Sequence, residues 1–213
     1  MSAQAIQNAD VERAGLIRRG RRLEYLTVGW NLLEAVVAVG AGLAAGSAAL
    51  VGFGFDSLIE STSGAALLWR LRSDEDAERR EKIALKLVGA SFLLLAGYVA
   101  FDAGKSLLYG EPPEESYVGI GLAALSLVVM PLLARAKRRV AAQINSRALE
   151  ADSRQTDICA YLSAILLGGL LLNALLGWWW ADPIAALVMV PIIAKEGVEA
   201  LRGETCCDDG SCR

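Results

Sequence analysis

The sequence has no histidine. This absence excludes serine hydrolases of the Ser-His-Asp type, HExxH metalloproteases and histidine-ligated haem proteins. Charged residues are also few, at 21% against 54% hydrophobic residues, and the formal net charge of −3 argues against a nucleic-acid partner. The four cysteines are too few, and too unevenly placed, for a disulfide scaffold. Any proton or metal chemistry therefore depends on carboxylates, hydroxyls and thiols.

Long hydrophobic runs dominate the rest of the chain. A helix of about 20 apolar residues crosses about 30 Å of hydrocarbon, so six such runs predict an all-α membrane protein with six transmembrane helices. The predicted spans are residues 23–45, 48–70, 87–109, 117–134, 158–180 and 183–201. The polar start lacks the apolar core of a signal peptide. We expect an N-terminal segment over 1–22, one membrane domain over 23–201 and a short tail over 202–213.

The positive charges predict the orientation in the membrane. Of the 21 Lys and Arg residues, 20 fall in four segments, which are residues 1–22, 70–86, 135–154 and 195–213. Six spans place these segments on one side of the membrane, and the positive-inside rule makes that side the cytoplasm. Both termini are therefore expected to be cytoplasmic, in the inner membrane of a bacterial cell. A five-span alternative would move the tail to the other side.

Acidic residues inside the predicted spans are the first candidates for a functional site. A charge at the centre of a spanning helix costs about 2.5–3.5 kcal/mol, so such residues are retained for a reason. Glu34, Asp56, Glu60 and Asp157 stand out. Asp56 and Glu60 are four residues apart, which puts them on one helix face about 6 Å apart along the axis. The pair suits a divalent cation, although hydrogen bonds to neighbouring helices would also explain it.

Two further pairs could extend that site. Ser153 and Asp157 share a face at the start of the fifth span and could complete an oxygen cage, although an acid at a helix N-terminus also complements the helix dipole. Asn31 and Glu34 share a face in the first span and could serve as additional ligands, as supporting residues or as a proton relay. An ordinary polar contact between helices would explain that second pair equally well.

The tail carries three thiols, Cys206, Cys207 and Cys212, together with two aspartates. Such a group could capture Zn²⁺ or Cu⁺ in a reducing compartment. The spacing is not the CxxC of structural zinc sites, so a disordered tail with idle thiols remains an alternative. Cys159, within the fifth span, is interpreted as a small packing residue.

The second-span sequence DSLIE and the fifth-span sequence ADSRQTD resemble those of the cation diffusion facilitator family, over about residues 22–202. In that family, two pairs of side chains on the second and fifth spans form a tetrahedral metal site, and metal leaves the cytoplasm in exchange for protons. The resemblance implies that Asp56, Glu60, Ser153 and Asp157 are the metal ligands. It implies a secondary active transporter and no resident cofactor, since the metal is cargo.

This chain departs from the family pattern in two ways. Ser153 stands where the family most often has a histidine, so Asp152, Glu34 or water would have to supply a ligand. Zinc is the expected metal, although an all-oxygen site also suits Mn²⁺ or Fe²⁺. The family's C-terminal cytoplasmic domain is missing, which implies a short-form member whose homodimer is made by the transmembrane helices.

Two other functions fit buried acids. An intramembrane aspartyl protease also needs two aspartates, but Gly52, Gly54 and Asp56 spell GxGxD where that family uses GxGD, with a YD motif on the preceding span. A non-catalytic membrane scaffold subunit is the third interpretation. It predicts that substituting the acids alters stability or assembly, without any metal dependence.

Overall fold

Six α-helices make up the fold in the computed structural model, which describes residues 3–70, 77–110 and 113–202. They are α1 (Ala3–Ala45), α2 (Ala48–Arg70), α3 (Ala77–Tyr109), α4 (Tyr117–Ile144), α5 (Arg147–Leu176) and α6 (Ala181–Arg202). The predicted all-α fold is confirmed. Within these ranges, four helices contain segments long and apolar enough to cross a membrane, namely Arg13–Ala45, Gly89–Tyr109, Tyr117–Ile144 and Asp152–Leu176.

Left-handed residues and serine caps define the helix ends. Gly46, with a φ of 66°, ends α1, and the Ser47 hydroxyl then accepts a hydrogen bond from the first turn of α2. Asn145, with a φ of 53°, ends α4, and Ser146 caps α5. Gly177, with a φ of 64°, ends α5. The helices are therefore joined by tight turns at these places, which fixes neighbouring helices side by side.

Four helices extend well beyond the apolar runs that predicted them. α1 already begins at Ala3 and α3 at Ala77, and the basic segment after residue 134 is the continuation of α4 followed by the start of α5. The fifth helix ends at Leu176, four residues before the predicted end, because Gly177 takes the left-handed conformation. Hydropathy reports where the apolar surface ends, whereas a helix continues through Arg, Glu and Ala, which are good helix formers.

The helices form a ring of four with a pair beside it. α1 packs most extensively on α2, and α4 on α5, while contacts of α1 with α4 and of α2 with α5 close the ring. α3 and α6 pack on each other and against α2 and α5. Phe53, Met130 and Leu166 lie fully buried between the helices. Large apolar side chains such as Leu94 and Leu175, each 76% exposed, face outward, as expected for a surface in contact with lipid.

Glycine on α2 lets α1 come close. A side chain at Gly54 would place its Cβ 2.9 Å from the backbone nitrogen of Val39, a distance that real Cβ atoms do not adopt. Only glycine fits that position without moving a backbone. The close approach brings the acidic face of α2 within reach of the acids on α1.

Candidate functional site

The acidic pair of α2 faces the interior of the helix bundle. Asp56 is 7% exposed and Glu60 is 4% exposed. The two carboxylates interact electrostatically with each other, and Asp56 also faces Glu34 of α1 and Glu196 of α6. The four-residue spacing therefore does put both acids on one buried face, and carboxylates from two other helices lie near them.

Glu34 joins this acidic face from α1. The side chain is fully buried, and its Oε2 accepts a hydrogen bond of 2.7 Å from the Ser57 hydroxyl. The Cys159 thiol of α5 donates to the same oxygen over 3.8 Å. Asn31, one turn earlier on α1, is also fully buried, and its amide atoms have no hydrogen-bond partner within residues 3–70, 77–110 and 113–202. Helices α1, α2 and α5 thus all contribute polar groups to one region.

Glu60 interacts with groups of this region and of a second cluster. It is within electrostatic range of Glu34, Lys137 and Asp152, and it lies close to the Cys159 thiol. Neither carboxylate oxygen of Glu60 has a well-formed hydrogen bond to any residue that the structure describes. A buried carboxylate without such bonds is costly, so Glu60 is a strong candidate for binding a cation.

The second cluster is a buried ion group centred on Lys137 of α4. Its ammonium nitrogen lies 3.0 Å from Glu24 Oε2 of α1 and 2.5 Å from Asp152 Oδ2 of α5. The lysine side chain is fully buried, and those of Glu24 and Asp152 are 2% and 8% exposed. The Thr156 hydroxyl is 3.4 Å from the same nitrogen. One cation thus joins three of the four helices of the ring.

Sequence analysis did not identify Lys137, because it lies in a run of basic residues at the end of an apolar stretch. The spacing of residues along α4 could nevertheless have indicated that Lys137 is buried. Ala134, Lys137 and Val140 recur at three-residue intervals on α4, and all three are at most 1% exposed. This helical spacing continues the buried face of α4 past the apolar run. Glu24 carried a similar signal, as an acid within the first apolar run.

Ser153 and Asp157, the predicted pair of ligands on α5, lie in two different environments. Ser153 is fully buried, and its hydroxyl donates a hydrogen bond of 2.6 Å to the backbone oxygen of Glu150. The Asp157 side chain is 27% exposed and lies 2.8 Å from the Arg138 guanidinium of α4. Asp152 and Cys159 of α5 contact Lys137 of α4 and Glu34 of α1 across the ring. Asp157 is therefore not beside the acidic pair of α2 in this conformation.

The structure brings acids together without forming a finished coordination sphere. Among the described residues, no group of three or more Cys, Asp or Glu side chains is close enough to hold a metal ion directly. The predicted ligand role of Asp56, Glu60, Ser153 and Asp157 remains a prediction. The tail thiols Cys206, Cys207 and Cys212 lie outside the described residues.

At the end of the bundle opposite the Lys137 cluster, hydrogen bonds join elements that are distant in sequence. The Ser47 hydroxyl, in the turn between α1 and α2, donates to Asp182 Oδ1 of α6 over 2.6 Å. The Asn173 amide of α5 donates to the backbone oxygen of Pro113 over 3.2 Å. Ser47 and Asp182 are each 1% exposed, so water has little access to this contact.

The chain is similar to known proteins of metal transport. Residues 25–204 match the model of the cation efflux transmembrane domain. A segment of 113 residues, 53% of the chain, is 31% identical to 36% of a cation-efflux pump, FieF, from Shewanella oneidensis. A segment of 194 residues, 87% of the chain, is 26% identical to 63% of an uncharacterized transporter from Synechocystis.

A eukaryotic protein is similar over most of the chain. Transmembrane protein 163 from Xenopus laevis is 24% identical over 209 residues, which cover 90% of the chain and 74% of that protein. The chain spans 36% of the Shewanella pump and 63% of the Synechocystis transporter, less than two thirds of either.

Proposed function

Because the chain belongs to the cation efflux, or cation diffusion facilitator, family, we propose that it is a secondary active transporter that carries divalent metal ions out of the cytoplasm in exchange for protons. All six helices then cross the inner membrane, with residues 1–22 and the tail over 202–213 in the cytoplasm. Zinc is the favoured cargo, and Mn²⁺ and Fe²⁺ are the next candidates. The protein is not an enzyme in this proposal.

The observation that carries the proposal is the group of carboxylates buried inside the ring of four helices. Glu34, Asp56 and Glu60 are all at most 7% exposed and lie within electrostatic reach of one another. Three like charges this close cannot all be ionised in a low-dielectric interior unless a cation joins them. Protons neutralise them when the site is empty, and an entering divalent ion displaces those protons. Exchange of metal for protons follows from the same residues.

We propose Asp56 and Glu60 as the central ligands. Glu34 and Asp152 are within electrostatic range of Glu60, and buried Asn31 lies one turn from Glu34 on α1, so we assign these side chains to support or replace the central ligands as the site closes on an ion. Zinc takes four ligands and accepts carboxylates. Ligation by Ser153 and Asp157 requires α5 to turn and Asp157 to leave Arg138, which is a movement expected of a transporter that opens alternately to either side.

The contacts at the two ends of the bundle suit a transporter that opens alternately to either side of the membrane. Hydrogen bonds join α1, α2 and α6 at the end that we assign to the outside, and the Lys137 cluster joins α1, α4 and α5 toward the cytoplasm. We propose that these contacts break in turn as the helices rock around the bound ion. A homodimer through the transmembrane helices and metal capture by Cys206, Cys207 and Cys212 are further parts of this proposal.

Flux measurements in proteoliposomes test the function. Zinc movement and lumenal pH should be followed together, with metal-sensitive and pH-sensitive dyes. We expect Asp56→Asn and Glu60→Gln to abolish both signals, whereas Glu115→Gln, which changes an exposed carboxylate between α3 and α4, should retain them. Zinc flux that is unchanged in both buried variants would refute the proposal. Zinc flux without any pH change would refute proton exchange alone.

A further inference from the structure

We propose that Cys159 is a metal ligand, which supplies the soft donor that the carboxylates lack and thereby selects thiophilic divalent ions such as Zn²⁺ and Cd²⁺. This inference rests on the proposed transport function and adds the residue that sets metal choice. It adds a binding role to the packing of Cys159 in the hydrophobic core.

Cys159 lies in the hydrophobic core and within electrostatic range of acidic groups. The side chain is 1% exposed, and its Sγ lies 3.8 Å from Glu34 Oε2. Its electrostatic neighbours are Glu60, Glu34 and Asp56, which come from α1 and α2. This thiol therefore shares one buried region with the acids that we propose as ligands.

Glu60 gives independent support. It is 4% exposed and faces the thiol, yet within the described part of the chain neither of its oxygens has a well-formed hydrogen bond. A nearly buried carboxylate left in this state lacks a partner that a metal ion could provide. A cation between Cys159 and Glu60 would bind both groups and would cross-link α5 to α2.

The chemistry of binding balances without another reactant. The divalent ion forms a bond to Sγ as the S–H bond breaks, and the thiol proton leaves by way of Glu34 Oε2, which accepts the hydrogen bond of the thiol, together with the protons that the ion displaces from the carboxylates. No electron is transferred. Because no three such side chains of the described residues converge yet, the ion must draw Glu60 and the thiol together, which side-chain rotation around χ1 and χ2 allows.

A thiolate ligand predicts a particular selectivity. Sulfur favours Zn²⁺ and Cd²⁺, whereas a set of oxygens alone suits Mn²⁺ and other hard ions. Cys159→Ser keeps the size of the side chain and exchanges sulfur for oxygen. We therefore expect Cd²⁺ affinity to fall about tenfold or more, the scale seen when a metal site loses a supporting group. Mn²⁺ affinity should change much less.

X-ray absorption at the zinc edge tests the bond directly. The tail thiols are first removed by Cys206→Ser, Cys207→Ser and Cys212→Ser in the full-length chain, so that Cys159 is the remaining cysteine. We expect one sulfur at about 2.3 Å from bound zinc. Adding Cys159→Ser should remove that sulfur. Ser163→Ala, on the same buried face of α5, is the matched control and should keep it.

The outcomes separate this inference from the proposed function. Bound zinc that depends on Asp56 but shows only oxygen or nitrogen neighbours overturns the ligand role of Cys159 and leaves the transporter intact. Absence of any zinc binding that depends on Asp56 overturns the proposed function, and the inference with it. If Cys159→Ser does not fold, the spectrum of the protein that lacks only the tail thiols still decides the question.

Discussion

Replacing Lys137 with methionine should strongly destabilise the protein. The lysine nitrogen lies between Glu24 and Asp152, at 3.0 and 2.5 Å, and all three side chains are at most 8% exposed. Methionine has a similar length, so the change leaves little cavity and removes mainly the positive charge. It leaves two carboxylates in the bundle without their shared cation.

The expected loss is about 3–5 kcal/mol of unfolding free energy, the cost of removing one partner from a buried ion pair. Reversible unfolding in mixed detergent micelles measures it. Replacing the whole group with neutral side chains, by Lys137→Met, Glu24→Gln and Asp152→Asn together, should recover most of the loss, because a buried ion group is often no more stable than its neutral counterpart.

A control lies at the next position of α4. Arg138 pairs with Asp157 at the surface, with side chains 47% and 27% exposed, so Arg138→Met should cost less than about 1 kcal/mol. If Lys137→Met costs no more than Arg138→Met, or if the neutral triple variant is as unstable as Lys137→Met, the reasoning on the buried ion group is wrong.

Three more predictions follow from single contacts. Ser47→Ala removes the donor to buried Asp182 and should lower the unfolding free energy by about 1–3 kcal/mol in the same assay; a change near zero would contradict the closed contact. Gly64→Ala would place a Cβ 2.5 Å from Glu24 Oε1 and should lower the unfolding free energy, but by less when Glu24→Ala is also present. If the two changes in unfolding free energy simply add, the close contact between Gly64 and Glu24 is wrong. Asp157→Asn should reduce zinc flux about tenfold or more, while Arg138→Gln should not reduce it, and full flux in Asp157→Asn would remove Asp157 from the ligand set.

The sequence predicted the helices best where turn residues and hydropathy agree. α2 has the predicted bounds, residues 48–70, because Gly46 and Ser47 mark its start. The start of α1 was not predictable from hydropathy, since residues 3–22 are polar yet continue the helix. The length of an apolar run reflects the thickness of the hydrocarbon layer, so it gives no information on how far a helix continues into polar sequence beyond that layer.

From the sequence, only those features of the site that depend on one helix at a time could be predicted. The burial of Asp56, Glu60 and Glu34 was foreseeable because each interrupts an apolar run. The partners of Lys137 and Cys159 come from helices distant in sequence, so spacing along one helix could not identify them. Spacing along α5 likewise could not identify which of its faces points into the ring.

Zinc binding to the purified chain tests the central claim most directly. With Cys206, Cys207 and Cys212 all changed to serine, the protein is titrated calorimetrically beside the same protein carrying Asp56→Asn or Glu60→Gln, and beside Glu115→Gln as the control. We predict about one zinc ion per chain, at least about tenfold weaker binding in each buried variant, and unchanged binding in the control. Equal zinc affinity and stoichiometry in all four proteins would contradict an intramembrane metal site at Asp56 and Glu60.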